Sequence, residues 1–191
     1  MPAIPATAAA KAARIVLVGL DVDGVLTDGS LFFGPGGDEI KAFSSLDGHG
    51  LRMLQRAGID VAIVSGRSSR ALELRAENLG IGELHMGVGD KRALLAEIGA
   101  RRGIALDRVS YMGDDVVDLP VLRACGFSAA PADAHEEVRA RVDWVAATGG
   151  GRGAVRELCD LILRAQGKWD AAMAEYLAWG IGPPRCFRWR C

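Results

Sequence analysis

The stretch IVLVGLDVDGVLTDG, running from Ile15 to Gly29, decides how the rest of the chain is read. Its first part, Ile15–Leu20, has the length and β-branched content of a buried strand. The run ends abruptly at Asp21-Val22-Asp23-Gly24, two carboxylates and a glycine where the chain has to turn. Val61–Val64, Val109–Met112 and Phe127–Ala130 repeat the apolar pattern, and a weaker strand passes through Asp143–Ala146. Between these runs lie stretches with helical periodicity: His49–Ala57, Ser68–Leu79, Asp90–Arg102, Asp118–Ala124 and, later, Ala154 to Gln166. Such alternation predicts an α/β fold, a Rossmann-like parallel sheet with helices on both faces. One segment interrupts it. Leu31–Phe33 and Ile40–Phe43 flank Gly34-Pro35-Gly36-Gly37-Asp38, which predicts a β-hairpin inserted after strand 1.

The chain has 191 residues, 50% of them hydrophobic and 25% charged, which suits one domain with a real core. Residues 1–13, alanine-rich with two prolines, read as a flexible arm and not as a signal peptide. The domain is expected over 14–180, followed by a basic, aromatic tail at 181–191. A net charge of -1 offers no global field for nucleic acid or an anionic membrane. Ile15–Leu20 is far too short to span a bilayer, and a soluble cytoplasmic protein is expected. Cys125, Cys159, Cys186 and Cys191 match no zinc framework, and the first two fall in apolar helical patterns as core residues.

In open parallel sheets, ligands sit outside the carboxyl ends of the strands. Four polar clusters fall at or beside such ends: Asp21 to Asp28, Ser65-Gly66-Arg67, Lys91, and Gly113-Asp114-Asp115 with Asp118. Singly they say little, since acidic turn residues are common and a serine before a helix is often its cap. In this order they resemble the haloacid dehalogenase-like phosphohydrolases. The run Asp21–Gly29, the Gly113–Asp118 cluster and GGGRGAVRELCD at Gly149–Asp160 are similar to the 3-deoxy-D-manno-octulosonate 8-phosphate phosphatases. The similarity extends roughly from Ile15 to Asp170.

That resemblance implies hydrolysis of 3-deoxy-D-manno-octulosonate 8-phosphate through an aspartyl-phosphate on Asp21, with Asp23 as general acid and then base. Ser65 and Lys91 would hold the phosphoryl oxygens. Mg2+ would be bound by Asp21, the Asp23 backbone carbonyl and Asp114, with Asp115 and Asp118 behind them. The physical need is clear, because a phosphate dianion repels a carboxylate nucleophile unless cations neutralise the site. The resemblance further implies substrate binding by Asp23, Ser44, Ser45, Leu46, Asp47, Gly48, Arg52, Arg67, Arg75 and Lys91. A sugar acid also carries a distant carboxylate, which suits a planar guanidinium, and Arg67 is the best placed. Arg152, within the glycine-rich loop, is a second candidate for an anion, and Asp28 reads as a turn residue.

The spacing leaves no room for a cap domain. Residues 66–90 hold one helix with its loops, and Asp23 to Ser65 hold the hairpin, one helix and one strand. An uncovered site exposes its intermediate to water, so something else must close it. The resemblance implies a homotetramer whose subunits cover one another, and the apolar Leu31, Phe32 and Phe33 would lie at that interface. Neither nucleic acid nor membrane is expected as a partner. Three alternatives stay open on residues alone: a phosphatase of a nine-carbon ulosonate 9-phosphate, a non-catalytic phosphosugar-binding protein, and a phosphoacceptor receiver domain. Asp23 speaks against the receiver, and the intact set Asp21, Asp23, Lys91 and Asp114 against a non-catalytic protein. No residue separates the eight-carbon from the nine-carbon acid.

Overall fold

In the computed structural model, which describes residues 4–178, the apolar runs become strands β1 (Leu17–Leu20), β4 (Asp60–Val64), β6 (Val109–Met112), β7 (Phe127–Ala130) and β8 (Trp144–Val145). Together with β5 (Glu83–His85) they form one parallel sheet in the order β5-β4-β1-β6-β7-β8. From β1 the chain builds outward to β4 and β5, then crosses back to β6 on the other side. The crevice that such a reversal opens therefore lies at the carboxyl end of β1.

Strand alternation divides the core in two. Val18, Leu20, Val61 and Ile63 face a layer built from α1 (Ala6–Ala12), α2 (Ser45–Arg56), α3 (Arg70–Leu79), α7 (Ala154–Ala165) and α8 (Trp169–Leu177). Leu17, Ala62, Val64 and Tyr111 face α4 (Lys91–Arg102), α5 (Leu119–Leu122) and α6 (Glu136–Arg139). The buried stripe of α7, with Val155, Leu158, Leu161 and Ile162, packs against α2 in the first layer.

Several expectations need correction. Residues 6–12 of the expected loose arm are helical, because alanine has the highest helix propensity and its small side chain lets α1 lie close to α7. Ala8 and Ala12 are buried, Lys11 pairs with Asp143 at 2.5 Å, and the Gln166 amide donates to the Ile15 carbonyl at 2.7 Å. Strand β5 carries no apolar run. Its Glu83 accepts from Arg101 at 2.6 Å and Arg102 at 2.7 Å and contacts His85 at 2.6 Å, so polar residues are accommodated at this sheet edge. Helix α3 begins at Arg70, two residues later than expected, after an extended Ser69.

The hairpin strands, β2 (Phe32–Phe33) and β3 (Glu39–Ile40), pair antiparallel apart from the main sheet. Phe32, Phe33 and Ile40 are 53%, 62% and 58% exposed. Only α3 and β5 lie between Ser65 and Lys91, so no cap domain stands over the crevice. The tail at 181–191, with Cys186 and Cys191, lies outside the described residues. Among the described residues no helix is long and apolar enough to cross a membrane.

Candidate active site

Asp21 is the first residue beyond β1, and its amide still donates to the Met112 carbonyl at 3.0 Å. It continues the face of Leu17, which looks toward α4. Lys91 opens that helix, whose start is capped by Asp90 accepting from the Ala93 amide at 2.9 Å. The buried Lys91 ammonium stands 2.9 Å from Asp21 Oδ1 and 2.7 Å from Asp118 Oδ1. The other oxygen of Asp118 accepts from the Asp114 amide at 3.2 Å. Asp114 in turn lies against Gly24, where φ is +84° and a Cβ would come within 2.0 Å of Asp114 Oδ2. Only glycine fits there, on both counts.

Oxygens of Asp21, Asp114 and Asp118 lie within 4.8 Å of one another. Burial, reinforced by Asp118, pushes Asp21 up to about 6, although Lys91 pulls it back. Burial, with Asp21, Asp118 and Asp115 adding repulsion, pushes Asp114 up to about 7. Burial opposes the charge on Lys91, but Asp21 and Asp118 outweigh it and hold its pKa above the usual value. Three crowded carboxylates sharing one lysine are short of positive charge, and their hard oxygens suit magnesium. Both Asp118 oxygens also accept hydrogen bonds, from Lys91 and from the Asp114 amide, so Asp118 fixes two of its neighbours in the cluster. Asp115 is exposed and accepts from its neighbour's amide, Val116 N, at 2.7 Å.

Ser65 follows β4 directly and is buried. Its Oγ accepts from the Arg67 amide at 3.1 Å, so the hydroxyl proton remains free to be donated. Asp23 belongs to a second network. Its Oδ1 accepts from the Lys41 ammonium, and its Oδ2 lies 3.9 Å from Arg67 Nε. Glu39 stands 3.0 Å from Lys41 Nζ and 3.5 Å from Arg67 Nη2. Sequence reasoning did not anticipate Lys41 and Glu39. The available signal was a pair of charges two residues apart, hence on one face of a strand, in an otherwise apolar hairpin.

Helix α2 begins at Ser45, ahead of the expected start at His49. Ser44 caps α2 by accepting from the Asp47 amide at 3.3 Å, and Ser45 to Gly48 form the first turn, with Ser45 and Leu46 exposed. Asp47 is 1% exposed, and its Oδ1 accepts from the Arg156 amide at 2.8 Å, capping α7. Of the residues expected to bind substrate, Asp47 thus points its side chain inward to a helix start, where burial raises its pKa. Arg75 donates to the Ser44 carbonyl at 2.9 Å, crossing close over Gly48, and Arg52 donates to the Asn78 carbonyl at 2.6 Å. Both arginines tie α2 to α3. Arg152 pairs with Asp28 at 3.1 Å, and Asp28 also accepts from the Ser30 amide as a turn residue should. The amides of the glycine loop are engaged too: Gly150 donates to Asp133 and Gly151 to the Val25 carbonyl, each at 2.9 Å. The loop thus straps the turn after Asp21 instead of cradling an anion.

A haloacid dehalogenase-like hydrolase family matches residues 83–157. The chain is 45% identical over 172 residues to the 3-deoxy-D-manno-octulosonate 8-phosphate phosphatase of Escherichia coli K12, covering 90% of this chain and 92% of the other. The crystal structure of the Moraxella catarrhalis phosphatase of that name, in complex with magnesium ion, phosphate ion and a KDO molecule, matches with a TM-score of 0.87. Its identity is 41%, over 88% of this chain and 97% of that one. The cobalt-bound phosphatase from Haemophilus influenzae matches with a TM-score of 0.81 and 45% identity, over 84% and 94% of the two chains. With such identity along nearly the whole length, the chain belongs to the haloacid dehalogenase-like hydrolases, in the family of 3-deoxy-D-manno-octulosonate 8-phosphate phosphatases.

Proposed function

We propose that this chain hydrolyses 3-deoxy-D-manno-octulosonate 8-phosphate to the free sugar acid and phosphate, a step toward lipopolysaccharide. The observation that carries the reading is the buried set Asp21, Lys91 and Asp118, joined by the half-buried Asp114, at the carboxyl end of β1, with Asp23 two residues beyond the nucleophile. Asp21 attacks phosphorus and the bond to the sugar oxygen breaks, giving an aspartyl-phosphate. Asp23 donates a proton to the departing alkoxide, then takes one from the water that cleaves the acyl phosphate and frees Asp21. Lys91 and Ser65 hold the phosphoryl oxygens as their charge shifts. Magnesium, held by Asp21, Asp114 and the Asp23 carbonyl, supplies the positive charge that lets two anions approach.

Arg67 is assigned to the sugar carboxylate, since its guanidinium is half exposed beside Asp23. Ser44, Ser45, Leu46, Gly48, Arg52 and Arg75 are assigned to the remainder of the acid or to the closing subunit. The exposed hairpin supports a homotetramer in which neighbours cover one another's sites, because a lone subunit leaves Phe32, Phe33 and Ile40 in water. A single phosphohydrolase domain working in the cytoplasm, where phosphorylated sugars are made, accords with this.

The decisive assay is magnesium-dependent phosphate release from a panel of sugar phosphates. Preference for the eight-carbon acid, lost in Asp21→Asn, is expected. Preference for a nine-carbon acid would keep the chemistry and overturn the substrate. No release from any member, with metal still bound, would return the chain to a binding role. Asp23→Asn is expected to slow turnover by about 10²- to 10⁴-fold with metal affinity little changed, because only its carbonyl ligates.

A further inference from the structure

We infer that Lys41, held by Glu39, is a positioning residue: it grips one carboxylate oxygen of Asp23 and leaves the other to meet the leaving group. The inference rests on the assignment of Asp23 as acid and base. Lys41 leaves the hairpin just beyond β3, next to Ile40, which is 58% exposed, yet its own side chain is only 1% exposed. A lysine on a projecting hairpin would ordinarily extend its stem and keep its ammonium in water. Here it turns inward and bonds Asp23 Oδ1, while the Glu39 carboxylate pairs with the same ammonium at 3.0 Å. Asp23 Oδ2 is left 3.9 Å from Arg67 Nε, beyond hydrogen-bonding reach, so it remains the open oxygen.

The need for such a grip follows from the fold. Asp23 sits in the turn past β1, where its carboxylate can rotate and present either oxygen. A proton donor misplaced by about 1 Å loses much of its effect, so the orientation has to be imposed by a neighbour. Lys41 does this from the hairpin, and Glu39 keeps the ammonium from swinging toward the incoming phosphate. The acid is thereby aimed by the segment that also carries the exposed apolar surface.

A sugar phosphate has an alkoxide leaving group that needs a proton, whereas p-nitrophenyl phosphate has one that does not. The test is leaving-group release in the first turnover, by quenched flow, on both esters with magnesium present. Lys41→Met is expected to slow release from the sugar phosphate about 10- to 100-fold and from the aryl ester by less than about threefold. Lys41→Arg should restore most of the loss, and Glu39→Gln should give a smaller split in the same direction. Equal slowing of both esters, or of neither, would overturn the inference. Asp23→Asn run alongside separates the two claims. A split in that variant without one in Lys41→Met sinks only the Lys41 role, while no split in Asp23→Asn sinks the acid assignment and this inference with it. Should Lys41→Met fail to fold, the Glu39→Gln and Lys41→Arg pair decides by the same comparison.

Discussion

Asp21 and Asp114 hold their protons to about 6 and 7, against an ordinary 3.8, because burial and mutual repulsion favour the neutral forms. Between those limits the metal-free folded state binds more protons than the unfolded chain, so its stability falls as pH rises. The metal-free protein is therefore expected to melt at a lower temperature at pH 8 than at pH 5, and magnesium to reverse that at pH 8. Binding near pH 6 should also release protons, visible by calorimetry in buffers of different ionisation heat. A melting temperature that is flat with pH and metal would mean that the three carboxylates are not under this repulsion. Glu83, pulled down to about 2 in spite of burial by hydrogen bonds from His85, Arg102 and Arg101, does not mask the effect. Its stabilisation is complete above the ordinary 4.5 and is lost only as pH falls below that. Lys91→Met should cost about 3–5 kcal/mol in urea denaturation, because it strands buried carboxylates without their cation. These residues were legible in the sequence because each follows or opens a regular element, where side-chain direction is set. Lys41 was not, since its partner depends on how the hairpin curls back. The inward turn of Asp47 was equally hidden, being decided by the amide of Arg156, 109 positions later.

At the scale of elements, α7 is the case where a distant residue completes a local structure. Its Gly153 start has no side chain to cap it, and Asp47 supplies the missing acceptor from α2. Asp47→Ala should lower stability by about 0.5–2 kcal/mol, and Asp47→Asn by less because an acceptor oxygen is kept. An alanine variant that melts like the parent in urea would show that the cap contributes nothing. The span of α7 was readable from its buried stripe, as were the central strands from their uninterrupted apolar runs. Strand β5 was not, because Glu83-Leu84-His85 holds a single apolar side chain and so shows no hydrophobic run or periodicity. Helix α1 escaped for the opposite reason: alanine runs suit a loose arm or a closely packed helix equally, and only the surface of α7 decides.

For the whole molecule, counting residues between clusters was enough to exclude a cap, since no cap fits in a stretch already filled by a helix and a strand. What covers the crevice could not be counted, and the homotetramer proposed above would supply it from a neighbouring copy. The sheet edge at β5 is blunted by Glu83, Arg101 and Arg102, which discourages edge-to-edge pairing there, whereas the hairpin exposes Phe32, Phe33 and Ile40. Phe32→Ser with Phe33→Ser is expected to reduce the mass seen by light scattering from tetramer to smaller species, and to weaken hydrolysis of the sugar phosphate. An unchanged mass would place the interface elsewhere. The glycine strap has a further consequence, for the order in which the protein is made. Gly150 passes so near the Gly24 carbonyl that a Cβ would lie 1.9 Å from it, so two stretches far apart in the chain complete one wall of the site. The ribosome delivers Asp21 early and Gly150 late. A growing chain thus holds Asp21 before the stretch that closes over its turn exists, and this part of the site is complete only once Gly150 has left the ribosome.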